Sequence, residues 1–173
     1  MSNIELKDYI RDVPDFPKEG ILFRDITPLL ADKDALVAAV DALAEPFADI
    51  KIDYIAAVDA RGFIFGSAVA EKLNAGFIPI RKPGKLPYET ESLTYQLEYG
   101  TDTLQVHKDA VKPGAKVLMV DDLLATGGTM AAACSLMQKL RADIVGVTFL
   151  VELSFLAGRE KLKDYSVYTV ISY

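Results

Sequence analysis

The chain has the size and composition of a single enzyme domain. It has 173 residues, 51% of them apolar, and a formal net charge of −6. That length can bury a sizeable core, and the acidic balance argues against a nucleic-acid surface, which needs a clustered basic face. One cysteine cannot form an internal disulfide. The start lacks the pattern of a signal peptide and no apolar run approaches 18 residues. We therefore expect a soluble, cytoplasmic protein that binds neither nucleic acid nor membrane.

The first thirty residues predict a short helix and then an irregular, exposed segment. Four apolar residues recur at helical spacing before Pro14: Leu6, Tyr9, Ile10 and Val13. Residues 21–28 mix apolar and polar types without a period, which predicts a loop. Phe23 beside Arg24 in such a loop could stack on a flat ring. Alternatively, Phe23 anchors this segment to the core.

An ordinary core helix is predicted next. Asp32 or Asp34 can accept hydrogen bonds from the first free amides of that helix. Its apolar face is predicted to contain six residues: Leu36, Val37, Val40, Leu43, Ala44 and Phe47.

Residues 54–58 predict a buried strand that ends in a charged, glycine-containing turn before an amphipathic helix at 64–73. The turn contains Asp59, Ala60 and Arg61. Free amides at such a turn can hold a phosphate group, whose charge Arg61 can compensate. Asp59 and Arg61 could instead form a surface ion pair of little consequence.

A third strand, residues 77–80, leads into three cations within five residues: Arg81, Lys82 and Lys85. These cations repel one another unless an anion such as pyrophosphate is present, although a solvated basic loop is the alternative. Residues 86–103 then alternate only in part between apolar and polar types, which predicts a projecting β-hairpin. Such a hairpin is a candidate lid that would exclude water from a reactive centre.

The most informative stretch begins with a buried strand at residues 117–120. Asp121 and Asp122 follow at its carboxyl end, where we expect them to be exposed. Small and hydroxyl-bearing residues come next: Ala125, Thr126, Gly127, Gly128 and Thr129. An amphipathic helix then begins, so its amino terminus and the loop form a phosphate cradle. Carboxylates beside that cradle make sense if they accept hydrogen bonds from a cis-diol, which indicates a sugar phosphate. The alternative is a helix cap without a ligand.

Toward the end of the chain, residues 144–151 predict another buried strand and residues 168–171 an edge strand. Glu152 ends the first of these strands as either a solvated or a functional carboxylate. Cys134 falls on the apolar face of the preceding helix and is expected to be inert core.

The stretch from residue 117 to 129 resembles the 5-phosphoribosyl-1-pyrophosphate (PRPP) binding motif of the type I phosphoribosyltransferases. Phe23-Arg-Asp-Ile-Thr-Pro28 resembles a segment of the adenine phosphoribosyltransferase family, and Ala60-Arg-Gly-Phe63 resembles the family's pyrophosphate loop. Leu97-Glu-Tyr-Gly100 resembles its lid. The preceding Gln96 departs from the family's usual serine.

The resemblance implies an α/β fold with a mostly parallel sheet flanked by helices in one domain, residues 1–173. It also implies an N-terminal hood over residues 1–30 and a β-hairpin lid over residues 83–104. The implied reaction is purine salvage: transfer of the 5-phosphoribosyl group from PRPP to adenine, giving AMP and pyrophosphate. The enzyme would be a glycosyltransferase of the pentosyl class, a homodimer, and dependent on Mg²⁺ held mainly through substrate and water, without a direct protein ligand.

The resemblance also implies a role in the site for individual residues of this chain. The implied base-binding residues are Phe23 and Arg24, and the pyrophosphate is implied to contact Ala60, Arg61, Arg81 and Lys85. Asp121 and Asp122 would hold the ribose hydroxyls, and the five residues of the phosphate loop would hold the 5-phosphate. The implied catalytic residues are Glu98, Tyr99 and Arg61. Two alternatives stay open: another base, such as guanine or xanthine, or a non-catalytic regulator that senses PRPP, for which the chain offers no additional DNA-binding domain.

Overall fold

A computed structural model describes residues 4–97 and 100–173 of the chain. Its strands, in chain order, are β1 (Arg11–Pro14), β2 (Leu22–Asp25), β3 (Tyr54–Val58), β4 (Gly76–Ile80), β5 (Thr90–Gln96), β6 (Thr101–His107), β7 (Lys116–Leu124), β8 (Asp143–Glu152) and β9 (Val167–Ser172). Its α-helices are α1 (Thr27–Ala31), α2 (Lys33–Ala44), α3 (Arg61–Lys72) and α4 (Gly128–Lys139). Single 3₁₀ turns occupy Leu6–Tyr9, Glu45–Phe47, Ser154–Leu156 and Gly158–Leu162. No helix in these described ranges is long and apolar enough to cross a membrane.

A five-stranded sheet in the order β4-β3-β7-β8-β9 forms the centre of the molecule. Every pairing in it is parallel. Parallel sheets are covered on both faces, so their strands read as continuous apolar runs. That is why β3 and β8 lie where the sequence predicts them, and the predicted edge strand is confirmed as β9. The predicted α/β class is confirmed.

Two core layers lie on opposite faces of this sheet. Leu118 and Val120 of β7 pack with α2 and α3, whereas Val117 and Met119 pack with α4 and β6. Side chains alternate between faces along a strand, so adjacent apolar residues supply both layers. Cys134 lies in the α4 layer with no exposed surface, and burial raises the pKa of its thiol to about 12. Its predicted core position is confirmed.

Helix α2 begins where predicted, and most of its predicted apolar face is confirmed: Leu43, Ala44 and Phe47 are buried, and Leu36 and Val40 pack against the core. The Asp32 carboxylate accepts hydrogen bonds from the amides of Asp34 and Ala35 at 3.0 and 2.9 Å. Val37, predicted to face the core, is 59% exposed. Ala35 and Ala39 are fully buried instead. The apolar positions alone did not fix the rotation of the helix.

The N-terminal prediction is wrong in detail. Only Leu6–Tyr9 is helical, as one 3₁₀ turn, and Val13 lies in β1. Residues predicted as a loop form β2, which pairs antiparallel with β1 so that Val13 lies opposite Phe23. Helical spacing over a few residues cannot reveal a pairing partner about ten residues later in the chain.

Strand β7 also runs further than the predicted 117–120. It continues through both acids to Leu124, with Asp121 opposite Phe149 and Leu124 opposite Glu152 of β8. Asp122 is therefore only 5% exposed. The expectation of exposed acids at a strand end is wrong, because β8 continues beside them.

The predicted hairpin is confirmed as β5 and β6, paired antiparallel from Thr90 opposite His107 to Gln96 opposite Thr101. Its base is part of the core, since Leu104 and Val106 have no exposed surface. Arg81 and Gln105 also exchange backbone hydrogen bonds of 2.9 and 2.7 Å. The hairpin thus projects from an anchored base.

Glu152 is buried and paired, so the alternative of a solvated carboxylate at a strand end is wrong. It is 5% exposed, and Arg159 Nε lies 2.8 and 3.0 Å from its two carboxylate oxygens. The same guanidinium donates to the Val167 carbonyl and the Thr169 hydroxyl, each at 2.9 Å. This network ties the 3₁₀ turn Gly158–Leu162 to the ends of β8 and β9.

Replacing Arg159 should destabilise the fold, because the buried Glu152 carboxylate would lose its charged partner. Arg159→Met should lower the free energy of unfolding by about 2 kcal/mol at pH 7, less than for a fully buried pair, since the Arg159 side chain is 46% exposed. Lys163→Met, a change on the same segment, should stay within about 0.5 kcal/mol.

The loss of unfolding free energy in Arg159→Met should depend on pH. Hydrogen bonding by Arg159 lowers the pKa of Glu152. The ion pair therefore stabilises the fold fully at neutral pH and stops doing so as the pH falls through that lowered pKa. Urea denaturation from neutral to acid pH measures this. A deficit in Arg159→Met that does not shrink on acidification would contradict the account.

Candidate active site

The two predicted cradles lie side by side at the carboxyl edge of the sheet. Strands β3 and β7 are hydrogen-bonded neighbours, with Ala57 opposite Val120. The turns that follow them, into α3 and α4, therefore open on the same edge, where ligands bind in α/β sheets. The sequence predicted each turn separately, and the strand pairing brings them together.

The acid pair lies between two cavities. One, of about 190 Å³, is lined by Arg61, the acids and the phosphate loop as far as Met130. The other, of about 260 Å³, is lined by residues 58–62, both acids and Thr129. Asp121 and Asp122 line both cavities, together with Arg61 and Thr129, so the two cavities meet at the acid pair. A larger cavity of about 770 Å³ lies elsewhere, between the N-terminal segment, α2 and the end of α3, and its lining mixes aliphatic and charged residues.

Charge in the acid pair is only partly compensated. Arg61 Nε lies 2.9 Å from Asp122 Oδ2, without the angle of a hydrogen bond. Asp121 Oδ1 accepts a hydrogen bond from the Asp122 amide at 2.9 Å. Burial, followed by the neighbouring Asp122 charge, raises the pKa of the Asp121 carboxyl well above its usual range. The pair is therefore poised to gain hydrogen-bond donors.

Close approach of α3 requires a glycine beside this pair. A Cβ on Gly62 would lie 2.8 Å from Asp121 Oδ1. The amino-terminal turn of α3 is thus in van der Waals contact with the acid pair. The peptide between Asp59 and Ala60, which precedes the helix, is cis.

The phosphate loop is held in place by backbone contacts with the 3₁₀ turn Gly158–Leu162. Gly127 has a φ of +77°, and a Cβ there would lie 2.3 Å from the Gly158 carbonyl oxygen. A Cβ on Gly158 would lie 2.3 Å from the Ala125 carbonyl oxygen. The loop is therefore seated on the 3₁₀ turn that Arg159 holds. Sequence reasoning missed this support, because residues 127 and 158 meet only in the fold.

Two of the three cations in the basic loop have acidic partners, which the composition of the loop did not indicate. Arg81 Nε donates to Asp59 Oδ2 at 2.9 Å, and Lys82 pairs with Asp102. Lys85 is exposed and forms no ion pair with any residue in 4–97 or 100–173. Only Lys85 therefore keeps the uncompensated charge on which the prediction of an anionic partner depended.

Tyr95 connects the hairpin to the phosphate loop, which the sequence did not predict. Its hydroxyl lies 3.2 Å from Thr129 Oγ1 and donates to Asp102 Oδ2 at 3.3 Å. Burial raises the pKa of Tyr95, and hydrogen bonding by Lys82 lowers that of Asp102. A hydrogen-bonded chain thus runs from the basic loop to the phosphate loop.

The N-terminal segment brings Phe23 to the site and directs Arg24 away from it. The Arg61 guanidinium carbon lies 5.6 Å from the Phe23 ring centroid, and Phe16 packs edge-on to the same ring at 5.1 Å. Arg24 pairs with Asp12 and stacks 3.7 Å above the Tyr173 ring. Adjacent residues of β2 point to opposite sides, so only the backbone of Arg24 is free to serve the site. Glu98 and Tyr99 lie outside the described residues.

Comparison with known proteins agrees with this geometry. A family model described as phosphoribosyl transferase domain matches residues 29–172. The chain belongs to the phosphoribosyltransferase family. Within this family, it is 59% identical to an adenine phosphoribosyltransferase of Pseudothermotoga lettingae, over 98% of this chain and 100% of the relative. It is 57% identical to one of Rhodopirellula baltica, over 99% of this chain and 83% of the relative.

Solved structures of the family give the same result. The crystal structure of adenine phosphoribosyltransferase from Thermoanaerobacter pseudethanolicus matches with a TM-score of 0.94 and 51% identity, over 98% of each chain. The Saccharomyces cerevisiae enzyme, complexed with an imino-altritol bisphosphate and adenine, matches with a TM-score of 0.91 and 44% identity, over 96% of each chain. The predicted membership of the adenine phosphoribosyltransferase family is confirmed.

The seating of the phosphate loop can be tested with its two glycines. Gly127→Ala should lower the free energy of unfolding by more than about 2 kcal/mol, because the residue has a positive φ and its Cβ would clash with backbone. Gly128→Ala is the matched control: its Cβ would have only Lys161 Nζ within 4 Å, at 3.8 Å. Denaturant unfolding of both variants measures the difference. Equal stabilities would show that the loop can move away from Gly158.

Proposed function

We propose that the chain catalyses transfer of the 5-phosphoribosyl group from PRPP to N9 of adenine, releasing AMP and pyrophosphate in purine salvage. The observation that carries this is the position of the acid pair between two phosphate cradles. PRPP has the same order: a 5-phosphate, a ribose with a cis-diol, and a 1-pyrophosphate. The close adenine phosphoribosyltransferase relatives support adenine as the base.

The loop of Ala125, Thr126, Gly127, Gly128 and Thr129 would bind the 5-phosphate. Helix α4 begins at Gly128, so free amides and the positive end of its dipole face the anion. Hydroxyls of Thr126 and Thr129 can donate further hydrogen bonds. Asp121 and Asp122 would accept hydrogen bonds from the ribose hydroxyls.

Pyrophosphate would lie at the turn after β3. The Ala60 amide, Arg61, Arg81 and Lys85 supply donors and positive charge where the leaving group gains negative charge. Arg61 is paired with Asp122. Diol binding at Asp122 would free this guanidinium for the pyrophosphate, so we assign Arg61 to both binding and catalysis.

Adenine would stack on Phe23, with its edge read by backbone groups around Arg24. As the bond from the anomeric carbon to pyrophosphate breaks, a bond to N9 forms and N9 loses its proton. We assign Glu98 to orienting adenine or supporting that proton loss, and Tyr99 to the sugar side. Residues 1–30 would act as a hood and residues 83–104 as a lid, pivoting on the buried base of the hairpin.

Mg²⁺ belongs to the proposal as a partner of PRPP. Mg²⁺ commonly binds through one or two carboxylates together with substrate phosphates and water. We propose that substrate oxygens and water hold the ion beside the pyrophosphate cradle, without a direct protein ligand, because Asp121 and Asp122 are assigned to the ribose hydroxyls. No cluster of three or more metal-ligating side chains occurs among residues 4–97 and 100–173. Bound there, the ion would neutralise pyrophosphate charge.

A homodimer and a cytoplasmic location are also proposed. The uncompensated Lys85 supports a loop that reaches the neighbouring subunit's site, and sedimentation at assay concentration would test the dimer. A single buried cysteine fits a reducing compartment.

Pyrophosphate release from PRPP, measured with each purine in turn, tests the reaction. Adenine should be the preferred base over guanine, hypoxanthine and xanthine. Asp122→Asn should raise the KM for PRPP about tenfold or more, since charge-assisted hydrogen bonds contribute roughly 1.5–3 kcal/mol. Asp41→Asn, on α2 beside Lys72 and outside the two cavities of the site, is a charge-matched control. Wild-type kinetics in an Asp121→Asn, Asp122→Asn double variant would remove the site assignment.

The lid residues should affect turnover more than substrate affinity. Glu98→Gln and Tyr99→Phe should lower kcat at least tenfold with smaller changes in the KM for PRPP, because we expect their contacts to form after closure. Glu91→Gln, nearer the base of the hairpin, serves as the control. Steady-state kinetics decide this, and unchanged kcat in both variants would refute the assignment.

A further inference from the structure

A cavity of about 320 Å³ lies between the outer end of the hairpin and the phosphate loop. Its lining comes from the outer hairpin, the loop and one residue from the end of the chain: Gln96, Leu97, Thr126, Gly128, Thr129 and Lys161. Lys161 Nζ lies 3.8 Å from the position that a Cβ on Gly128 would take. A lysine about thirty residues later in the chain thus reaches the first turn of α4.

This is an unfavourable place for a cation in the absence of an anion. The amino terminus of a helix has partial positive charge, so it attracts carboxylates and phosphates and repels ammonium groups. Lys161 forms no ion pair with any residue in the described ranges 4–97 and 100–173. An anion bound between this ammonium group and the loop amides would satisfy both.

The segment that presents Lys161 is held in place. The neighbouring Leu162 is fully buried, and Arg159 is fixed by Glu152 and by acceptors on β9. Gly158 is packed against Gly127 of the loop itself. The backbone that carries Lys161 therefore stays in register with the phosphate loop.

We propose that Lys161 is a binding residue for the 5-phosphate of PRPP and AMP. The inference rests on the proposed function, because it names a ligand group of that same site. Thr126, Gly128 and Thr129 line both this cavity and the one beside the acid pair. The ammonium group would therefore approach the phosphate from the hairpin side of the loop, opposite the ribose.

Ligand pairs that differ by one phosphate test the proposal. Calorimetry should show that Lys161→Gln weakens AMP binding about tenfold, the low end for a charge-assisted hydrogen bond from an exposed side chain. Adenosine binding should be unchanged. Lys161→Arg should recover most of the affinity for AMP, and added salt should reduce the difference between wild type and Lys161→Gln. Lys163→Gln removes the same charge outside the cavity and should behave as wild type.

Steady-state kinetics add a second readout. Lys161→Gln should raise the KM for PRPP about tenfold with kcat and the KM for adenine within about twofold. Unchanged AMP affinity would overturn the proposal, as would equal losses in Lys161→Gln and Lys163→Gln, or equal losses for AMP and adenosine. Failure of the proposed function has a different signature: the wild-type protein would make no AMP from adenine and PRPP.

Discussion

The ion pair between Arg61 and Asp122 is the contact on which the arrangement of the site depends. Two adjacent carboxylates lie inside a sheet, where burial raises the pKa of Asp121 and where each charge disfavours the other. Arg61 is the first residue of α3, so its guanidinium reaches the pair only because β3 and β7 are neighbours. The same guanidinium lies below the Phe23 ring. The Arg61 side chain thus joins the acid pair, the turn between β3 and α3, and the N-terminal segment.

That pairing also explains how the fold can tolerate two adjacent acids in a buried strand. A buried carboxylate without a partner would cost several kcal/mol, or would take up a proton. Arg61 offsets the charge of Asp122 without forming a well-directed hydrogen bond, which leaves Oδ2 of that carboxylate able to accept one. In the proposed complex with PRPP, a ribose hydroxyl would replace this ion pair, in which the charges attract but the hydrogen-bond angle is poor. The arginine that it displaces lies beside the cavity proposed for the pyrophosphate.

Local patterns in the sequence predicted what depends on local chemistry. Strands β3 and β8 are continuous apolar runs, and the phosphate loop has its residues in one stretch, so both could be found before the fold was known. The N-terminal helix was overpredicted because Val13 matches a helical period but pairs with Phe23 in a strand. The acids were expected to be exposed, because the sequence of β7 does not show that β8 continues beside it. The Glu152 and Arg159 network, the Tyr95 contact and Lys161 depend on residues far apart in the chain.

The hairpin shows why these long-range contacts matter for the site. Its base is fixed by Leu104 and Val106 in the core, and Tyr95 hydrogen-bonds to Thr129 in the phosphate loop. Asp102 joins Tyr95 to Lys82, which follows Arg81 at the pyrophosphate side. A phosphate that draws Thr129 toward itself would act on the Tyr95 hydroxyl, and through Asp102 on the basic loop. The two turns are therefore linked through the hairpin, by the contacts from Lys82 to Thr129, as well as through the acid pair.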